Sequence, residues 1–376
     1  MRKICVSSLL ILLIMCAVIS CKKNEQPLQQ MRIAVITTSS VNDKSYNQDA
    51  YEVACEFAEK HNAVCKNFVT AGVQTDVIAD TFSHAASEHY NVFILMGYAC
   101  IKSLILSAAK YPNVIFVGID INDLDIYTLA ENLGLTSYKI PKNVYCCSFH
   151  EHFAGFLAGY AAVREGFTHL GFIGGKAVPA VVRYGLGYVQ GINLAALEMG
   201  ITENVIVEYA YSKSFEETDS ITEEMRQWFS DGVEVVFPCG GGSWGSAAKA
   251  AAEYDKRIIG VDTDQSEVIN AYKSDMCLTS AEKNIGRSVR YMLEKIQDNQ
   301  FGDFGGKAET LGMVSADDPD LNFLQLPTDT WTMKKFTQDD YRQLVRRIVN
   351  GEIIVSGSAD EKQNYSVTLN IRKTVK

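Results

Sequence analysis

A short stretch near the start of the chain, NDKSYNQ at residues 42–48, combines side chains that can bind a ligand. Asp43 is a hydrogen-bond acceptor, and Asn47 offers a donor and an acceptor in one plane, as the edge of a purine requires. The ring of Tyr46 can stack on a flat ligand. The stretch lies between an apolar run and apolar residues at helical spacing, which predicts a binding site at the start of a helix.

Two further aspartates, Asp120 and Asp262, end apolar, β-branched runs. Ligands of open parallel sheets bind beyond the carboxyl ends of the strands, so Asp43, Asp120 and Asp262 are predicted to converge on one cleft. Three carboxylates would repel a phosphate, but each can accept charge-assisted hydrogen bonds from hydroxyl groups. The pattern favours an uncharged, polyhydroxylated ligand. The alternative for any one aspartate is a helix N-cap.

Phe215 follows the sixth predicted strand, as Tyr46 follows the first. Facing each other across a cleft, the two rings would clamp a flat heterocycle, and the alternative for each ring is a place in a core. Lys283, in the stretch LTSAEKNI, would reach an oxygen of the ligand. The alternative is a solvated lysine on a helix.

Glycines occur at two strand-to-helix turns, GFIGGK at residues 171–176 and GGGSWG at residues 240–245. Backbone N–H groups at such a turn can approach a ligand, which raises the alternative of a phosphate site. Neither turn matches the dinucleotide-binding or P-loop pattern. Tight backbone geometry is the more common reason for these glycines.

The elements that must position these residues alternate between strand and helix from residue 31 onward. The predicted strands are RIAVIT, AVCKNFVT, NVFILMG, NVIFVGID, THLGFIGG, VIVEYAYS, VEVVFPC and RIIGVD. Helical spacing follows the first strand from Ala50, and further helices are predicted at 76–89, 101–110, HFAGFLAGYAAV, 184–200, 219–230 and 246–254. Buried parallel strands with crossover helices give a doubly wound α/β architecture. The alternation of strands and helices occurs twice, with a boundary near residue 148. This predicts two similar lobes.

The composition and the first residues indicate an exported globular protein. The chain has 376 residues, of which 47% are apolar and 21% charged, with a net charge of −10. This balance permits a full core and argues against nucleic-acid binding, which needs a cationic surface. Arg2 and Lys3 precede VSSLLILLIMCAVIS, and VISC resembles a lipobox. Residues 1–20 are therefore predicted to be a lipoprotein signal peptide, Cys21 the lipidation site and 21–30 a tether; the alternative is a secretory signal with a chance cysteine.

Cysteines and histidines give no strong catalytic or metal pattern. The odd set of cysteines beyond Cys21, without a CxxC pair, argues against a zinc site and a complete disulfide framework. HEH at residues 150–152 is a weak metal candidate, and a nucleoside hydrolase is the enzymatic alternative, but neither an HExxH nor a GxSxG pattern accompanies HEH. A transcriptional regulator is disfavoured because the signal segment stands where a DNA-binding headpiece would be. We expect a protein that is not an enzyme and has neither cofactor nor metal.

The signature NDKSYNQ resembles the D-K-S-F-N-Q signature of the basic membrane protein family, bacterial lipoproteins that include purine nucleoside receptors and serve ABC transporters. The resemblance covers nearly all of residues 31–350. Further matching stretches, in order, are YPNVIFVGID, FAGFLAGYAA, HLGFIGGKAVPAV, YSKSF, VVFPCGGGSWGSAAKAA, IIGVDTDQ and LTSAEK.

The resemblance implies a type I periplasmic-binding fold, with a hinge and a nucleoside enclosed between the lobes, and ABC permease and ATPase subunits as partners of a monomer. It places base stacking on Tyr46 and Phe215 and base-edge contacts on Asp43 and Asn47. It places the ribose contacts on Asp120, Asp262 and Lys283. It also places a glycine turn of the site at Gly240, Gly241 and Gly242. A sugar or autoinducer receptor of the same fold is the alternative.

The expected lobes are 31–148 with about 275–320, and 149–274 with about 321–359, followed by a polar tail at 360–376. The chain departs from the family pattern at three places. Tyr46 stands where the family has Phe, TTSSVND lacks an acid and a glycine that often precede the signature, and Pro238 and Cys239 replace a small apolar pair.

Overall fold

The computed structural model describes residues 30–361 and 363–372. The predicted signal peptide, Cys21 and all of the tether except residue 30 lie outside the described residues. The strands are β1 Arg32–Thr37, β2 Val64–Val69, β3 Val92–Met96, β4 Ile115–Ile119, β5 Val144–Phe149, β6 His169–Gly174, β7 Ile206–Tyr211, β8 Val235–Cys239, β9 Arg257–Asp262, β10 Cys277–Lys283, β11 Lys307–Leu311, β12 Leu324–Gln325 and β13 Thr368–Ile371. The helices are α1 Tyr46–Lys60, α2 Thr75–Ser87, α3 Ile101–Ser107, α4 Asp123–Asn132, α5 Glu151–Glu165, α6 Pro179–Met199, α7 Asp219–Ser230, α8 Trp244–Tyr254, α9 Ser266–Asn270, α10 Ile285–Gln297 and α11 Gln338–Val349.

The strands form two sheets. The first has the order β11-β5-β4-β3-β1-β2, and the second has the order β12-β10-β9-β8-β6-β7-β13. The pairs are parallel except β10 with β12, which is antiparallel. Central strands such as β3 and β8 are buried along their whole length, because helices cover both faces of each sheet.

The chain passes three times between the two sheets, and the three connections lie side by side. The first follows β5, the second follows β10, and the third joins β11 to β12. The backbone N–H of His150 donates to Leu311 O at 2.9 Å, and that of Asn284 donates to Phe323 O at 2.8 Å. These bonds tie the three connections into one strip between the two halves.

The structure corrects two expected boundaries. Residues 277–283 were expected with the first lobe, but they form β10 of the second sheet, where Ala281 pairs with Val261 of β9. The expected polar tail contains β13, which extends the second sheet beside β7. Both segments mix polar and apolar residues, so their strand character comes from pairing with a neighbour and not from a local apolar pattern.

Helices α5 and α6 approach each other closely through glycines. A Cβ on Gly155 would lie 2.1 Å from Tyr184 O, and one on Gly187 would lie 1.9 Å from His152 O. No side chain fits at these distances, so the small residues in FAGFLAGYAA are needed for this packing. The close contact fixes the start of α5 beside α6, and both helix starts carry residues of the site described below.

None of the described helices is long and apolar enough to cross a membrane. The seven cysteines in the described part of the chain are free thiols: Cys55, Cys65, Cys100, Cys146, Cys147, Cys239 and Cys277.

Candidate ligand-binding site

A cavity of about 480 Å³ lies where the carboxyl ends of both sheets meet, within the roughly 300–1,000 Å³ usual for small-molecule sites. It brings together most of the residues singled out from the sequence. Those that line it are Tyr46, Asn47, Asp120, Phe215, Gly240, Gly241, Asp262 and Lys283. Asp43 and Gly242 are not among the lining residues, and both lie directly behind them.

Lys283 is the centre of a buried group of charges. Its Nζ lies 2.7 Å from Asp120 Oδ2, 3.6 Å from Asp262 Oδ1 and 3.6 Å from Glu151 Oε1. Glu151 Oε2 in turn accepts from Arg183 Nε at 2.5 Å. We call these five residues the charged cluster. Lys283 stands on β10 and is 2% exposed, so the alternative of a solvated helix lysine is wrong.

The charges of the cluster control one another's protonation. Burial would lower the pKa of Lys283, but the carboxylates of Asp120, Asp262 and Glu151 outweigh it and raise that pKa. Burial raises the pKa of Asp120 to about 6, with Lys283 opposing the shift and Glu151 adding to it. Burial also opposes ionisation of Glu151, yet Arg183 and Lys283 hold the pKa of Glu151 below its usual value. Lys283 therefore stays charged, and the raised pKa of Asp120 brings its titration to about pH 6.

Asp120 and Asp262 present acceptors from strained backbone positions. Their φ angles are +58° and +68°, in the left-handed region that costs non-glycine residues energy. Asp120 Oδ1 is buried and has no hydrogen-bond partner among the described residues. Asp262 Oδ2 accepts from Ser45 Oγ at 2.7 Å. An unpaired carboxylate oxygen beside the cavity is suited to accept a hydrogen bond from a ligand hydroxyl.

The two predicted stacking rings line this one cavity from different halves of the molecule. The hydroxyl of Tyr46 donates to Ile119 O at 3.1 Å, at the end of β4, and Lys283 Nζ lies 4.9 Å from the centre of its ring. Phe215 belongs to the segment between β7 and α7, and Lys176 Nζ lies 5.5 Å from its ring centre. The additional hydroxyl of Tyr46, where the family has Phe, is thus used to anchor the ring.

The glycine turn after β8 makes room for Phe215. A Cβ on Gly240, whose φ is +141°, would lie 2.9 Å from the Phe215 ring, and one on Gly175 would lie 2.4 Å from it. The backbone N–H of Gly242 donates to Phe215 O at 2.8 Å. The turn therefore positions the ring, which explains its glycines without a bound phosphate.

The stretch around Asp43 holds the start of α1 and contacts the other half. Asp43 accepts backbone N–H bonds from Ser45, Asn47 and Gln48 at 3.0–3.1 Å, as a helix-capping carboxylate does. Burial raises the pKa of Asp43, and these N–H bonds oppose the shift. Trp244 Nε1 donates to Asp43 O at 3.0 Å from the start of α8. The helix start is thereby joined to the second half of the molecule.

Sequence reasoning missed three residues of the site. Glu151 and Arg183 complete the charged cluster, and Tyr184, which lines the cavity, donates to Asp262 Oδ1 at 3.4 Å. Glu151 belongs to HEH, the weak metal candidate, and its side chain pairs with Arg183. Among residues 30–361 and 363–372, no group of three or more His, Cys, Asp or Glu side chains is placed to hold a metal ion. A charged residue two positions before the apolar stretch FAGFLAGYAA was the available signal for Glu151.

A family model described as "ABC transporter substrate-binding protein PnrA-like" matches residues 30–356. The chain is 27% identical over 290 residues to the ABC transporter nucleoside-binding protein BmpA of Lactococcus lactis subsp. cremoris. The aligned region covers 72% of this chain and 76% of that protein. Among solved structures, ABC transporter system solute-binding proteins from Aeropyrum pernix K1 and Conexibacter woesei DSM 14684 match at TM-scores of 0.69 and 0.64. The Aeropyrum match covers 88% of this chain and 95% of the Aeropyrum chain, and the Conexibacter match covers 87% of this chain and 99% of the Conexibacter chain. Each is 19% identical in sequence.

At these identities the structural likeness concerns the fold, and it confirms the predicted type I periplasmic-binding fold. The family match spans most of the sequence and agrees with the resemblance noted from NDKSYNQ and the stretches after it. The chain therefore belongs to the PnrA-like family of ABC transporter substrate-binding proteins.

Proposed function

We propose that this substrate-binding protein captures nucleosides, most readily purine nucleosides, and delivers them to an ABC permease and its ATPase. The observation that carries the proposal is the position of Tyr46 and Phe215, which line one cavity from different halves of the molecule beside the charged cluster. A nucleoside needs both parts, because its base is flat and apolar on its faces while its ribose carries hydroxyl groups. The name of the Lactococcus relative as nucleoside-binding supports the same ligand class.

In the proposed complex the base stacks between Tyr46 and Phe215, each contact contributing about 1–3 kcal/mol. Asp120 Oδ1, which has no partner among the described residues, accepts from a ribose hydroxyl, and Asp262 accepts from another. Lys283 donates to a ribose oxygen while remaining paired with Asp120. A nucleotide is disfavoured because its phosphate would meet the carboxylates of the cluster.

Capture proceeds by closure of the two halves about the three side-by-side connections. A ligand that contacts Tyr46 and Phe215 together favours the closed form, because only that form offers both contacts. The bonds from Ser45 to Asp262 and from Trp244 to Asp43 O join the halves in the same arrangement. The protein acts as a monomer held at the cell membrane, outside the cytoplasm, by lipid on Cys21, and it releases the nucleoside to the permease unchanged.

Isothermal calorimetry of the purified protein with inosine, guanosine, adenosine and free ribose tests the proposal. We expect heat of binding and a rise in melting temperature with at least one purine nucleoside, and neither with ribose. Chromatography after prolonged incubation with inosine should recover inosine alone. Binding of ribose as strong as that of the nucleosides would indicate a sugar receptor, and no response to any nucleoside would refute the proposal.

A further inference from the structure

The side-chain amide of Asn47 is held from two sides. Its Nδ2 lies 2.8 Å from Asp43 Oδ2 and 3.0 Å from Ser39 Oγ. An amide nitrogen carries two hydrogens, so these two bonds use both of its donors. Asn47 itself is 6% exposed and lines the cavity.

The chemistry of Asp43 fixes which way this amide points. Its two oxygens already accept the backbone N–H groups of Ser45, Asn47 and Gln48, so four donors in all converge on one carboxylate. An ionised carboxylate only accepts hydrogen bonds. Turning the Asn47 amide by 180° would place its oxygen against that carboxylate, and two acceptors would repel each other. The NH₂ group must therefore face Asp43.

What remains for a ligand is the amide oxygen. No described residue donates a hydrogen bond to Asn47 Oδ1. The neighbouring Ser39, also at the cavity, has a hydroxyl hydrogen that can rotate toward different acceptors. Ser39 is thus adaptable, whereas Asn47 offers one fixed kind of group.

We propose that Asn47 presents the ligand with an acceptor and no donor, so that the site selects heterocycles with an N–H donor on the edge that faces residue 47. This inference rests on the proposed nucleoside function and sharpens it. A 6-oxopurine qualifies through its ring N–H and a 6-aminopurine through its amino group. Purine riboside has the same ribose and ring faces but carries no N–H on its base, and it would leave Asn47 Oδ1 unpaired.

Calorimetric titration of the purified protein with inosine, adenosine and purine riboside tests this selection without any mutation. We expect purine riboside to bind about 10- to 100-fold more weakly than the better of the other two, because a buried acceptor is left without a partner. Equal affinity for the three compounds overturns the inference and leaves the proposed function standing. If none of the three binds, the proposed function fails together with the inference.

The substitution Asp43→Asn tests the cause of the selection. An amide at residue 43 can donate as well as accept, so Asn47 could turn and offer its NH₂ group to the ligand. The affinity ratio of inosine to purine riboside should then fall to within about threefold. Glu52→Gln is the matched control, since it removes one charge from the exposed face of α1, where Glu52 accepts from Gln48, and should leave the ratio unchanged.

A second variant keeps the test decisive if Asp43→Asn does not fold. Ser39→Ala removes one of the two acceptors of Asn47 Nδ2 and frees a hydrogen for the ligand. The ratio should again decrease. A ratio that stays at its wild-type value in each folded variant overturns the inference.

Discussion

Tyr46 and Phe215 line the same cavity, but the two halves of the molecule hold these rings in different ways. Tyr46 stands at the start of a helix, hydrogen-bonded through its hydroxyl to Ile119 O, with Lys283 4.9 Å from its ring centre. Phe215 has no polar atom and is placed by contact with Gly175 and Gly240. Tyr46 is thus held by a side-chain hydrogen bond beside the charged cluster, whereas the Phe215 ring is positioned by close packing against glycines and by the backbone bond from Gly242 N–H to Phe215 O.

Binding and stability are therefore expected to be coupled on the Tyr46 side and separate on the Phe215 side. On the Tyr46 side, the residues proposed to contact the ligand also hold buried charges in place, so a change there should disturb the folded state. On the Phe215 side, the glycine turn only makes room for a ring, and a change there should act mainly on the ligand. Substitutions in the charged cluster, then in the two rings, and then changes of pH test this contrast in order of decreasing effect.

Lys283→Met should have the largest effect. It leaves the carboxylates of Asp120, Glu151 and Asp262 without their shared cation, and loss of one partner of a buried ion pair costs about 3–5 kcal/mol of unfolding free energy. Urea denaturation at pH 7 measures it. Lys176→Met is the matched control, because Lys176 also lines the cavity but is exposed and makes no ion pair with any described residue. The unfolding free energy of this control should change by no more than about 0.5 kcal/mol. A loss of similar size in both variants would contradict the special role of the cluster.

The two aromatic residues should separate binding from stability. Phe215→Ala should weaken nucleoside binding by about 1–3 kcal/mol with little change in unfolding free energy. Tyr46→Ala should weaken binding by a similar amount and also destabilise the fold, because it removes a packed ring and a hydrogen bond. Tyr46→Phe isolates the hydroxyl and should cost about 1 kcal/mol of stability while retaining the stacking face. Calorimetry measures the loss of binding in the three variants, and urea denaturation measures their loss of stability. Equal stability losses for Phe215→Ala and Tyr46→Ala would remove the contrast.

Nucleoside affinity should fall in mildly acidic solution. Burial raises the pKa of Asp120 to about 6, and the groups that face it are Lys283, Glu151 and Asp262. In the proposed complex the ligand donates to the carboxylate form of Asp120. Affinity should therefore be constant above pH 7 and, well below pH 6, decrease about tenfold for each pH unit. Calorimetry between pH 5 and 8 measures this profile.

The same raised pKa has the opposite sign for the stability of the ligand-free protein. The folded state holds a proton on Asp120 more tightly than the unfolded chain does, so this residue's contribution falls as the pH rises from about 4 to about 6. Asp120→Asn should flatten both profiles in this window. An unchanged affinity profile in that variant would assign the titration to another group.

Much of the site was accessible from the sequence because the fold is regular. The β-branched apolar runs predicted strands, and residues just after strands such as β4 and β9 were expected at the carboxyl ends of the sheets. Asp120, Asp262 and the ring of Phe215 were found by this reasoning. The strand β10 was not, since LTSAEK contains too few apolar residues to stand out, and Lys283 was therefore weighed as a helix residue. The pairing of β10 with β9 shows that Lys283 stands on a strand.

The apolar runs and helical patterns were enough to predict the alternating architecture and the side chains at the strand ends. The surroundings of each carboxylate became apparent only from the folded arrangement. Asp43, expected at the ligand, is occupied by N–H groups of its own helix start, whereas Glu151, considered for a metal, is paired with Arg183 and lies beside Lys283. The reason is physical: the state of a buried carboxylate depends on the donors and charges within about 3–4 Å of it. Those neighbours come from distant parts of the chain, and local sequence does not identify them.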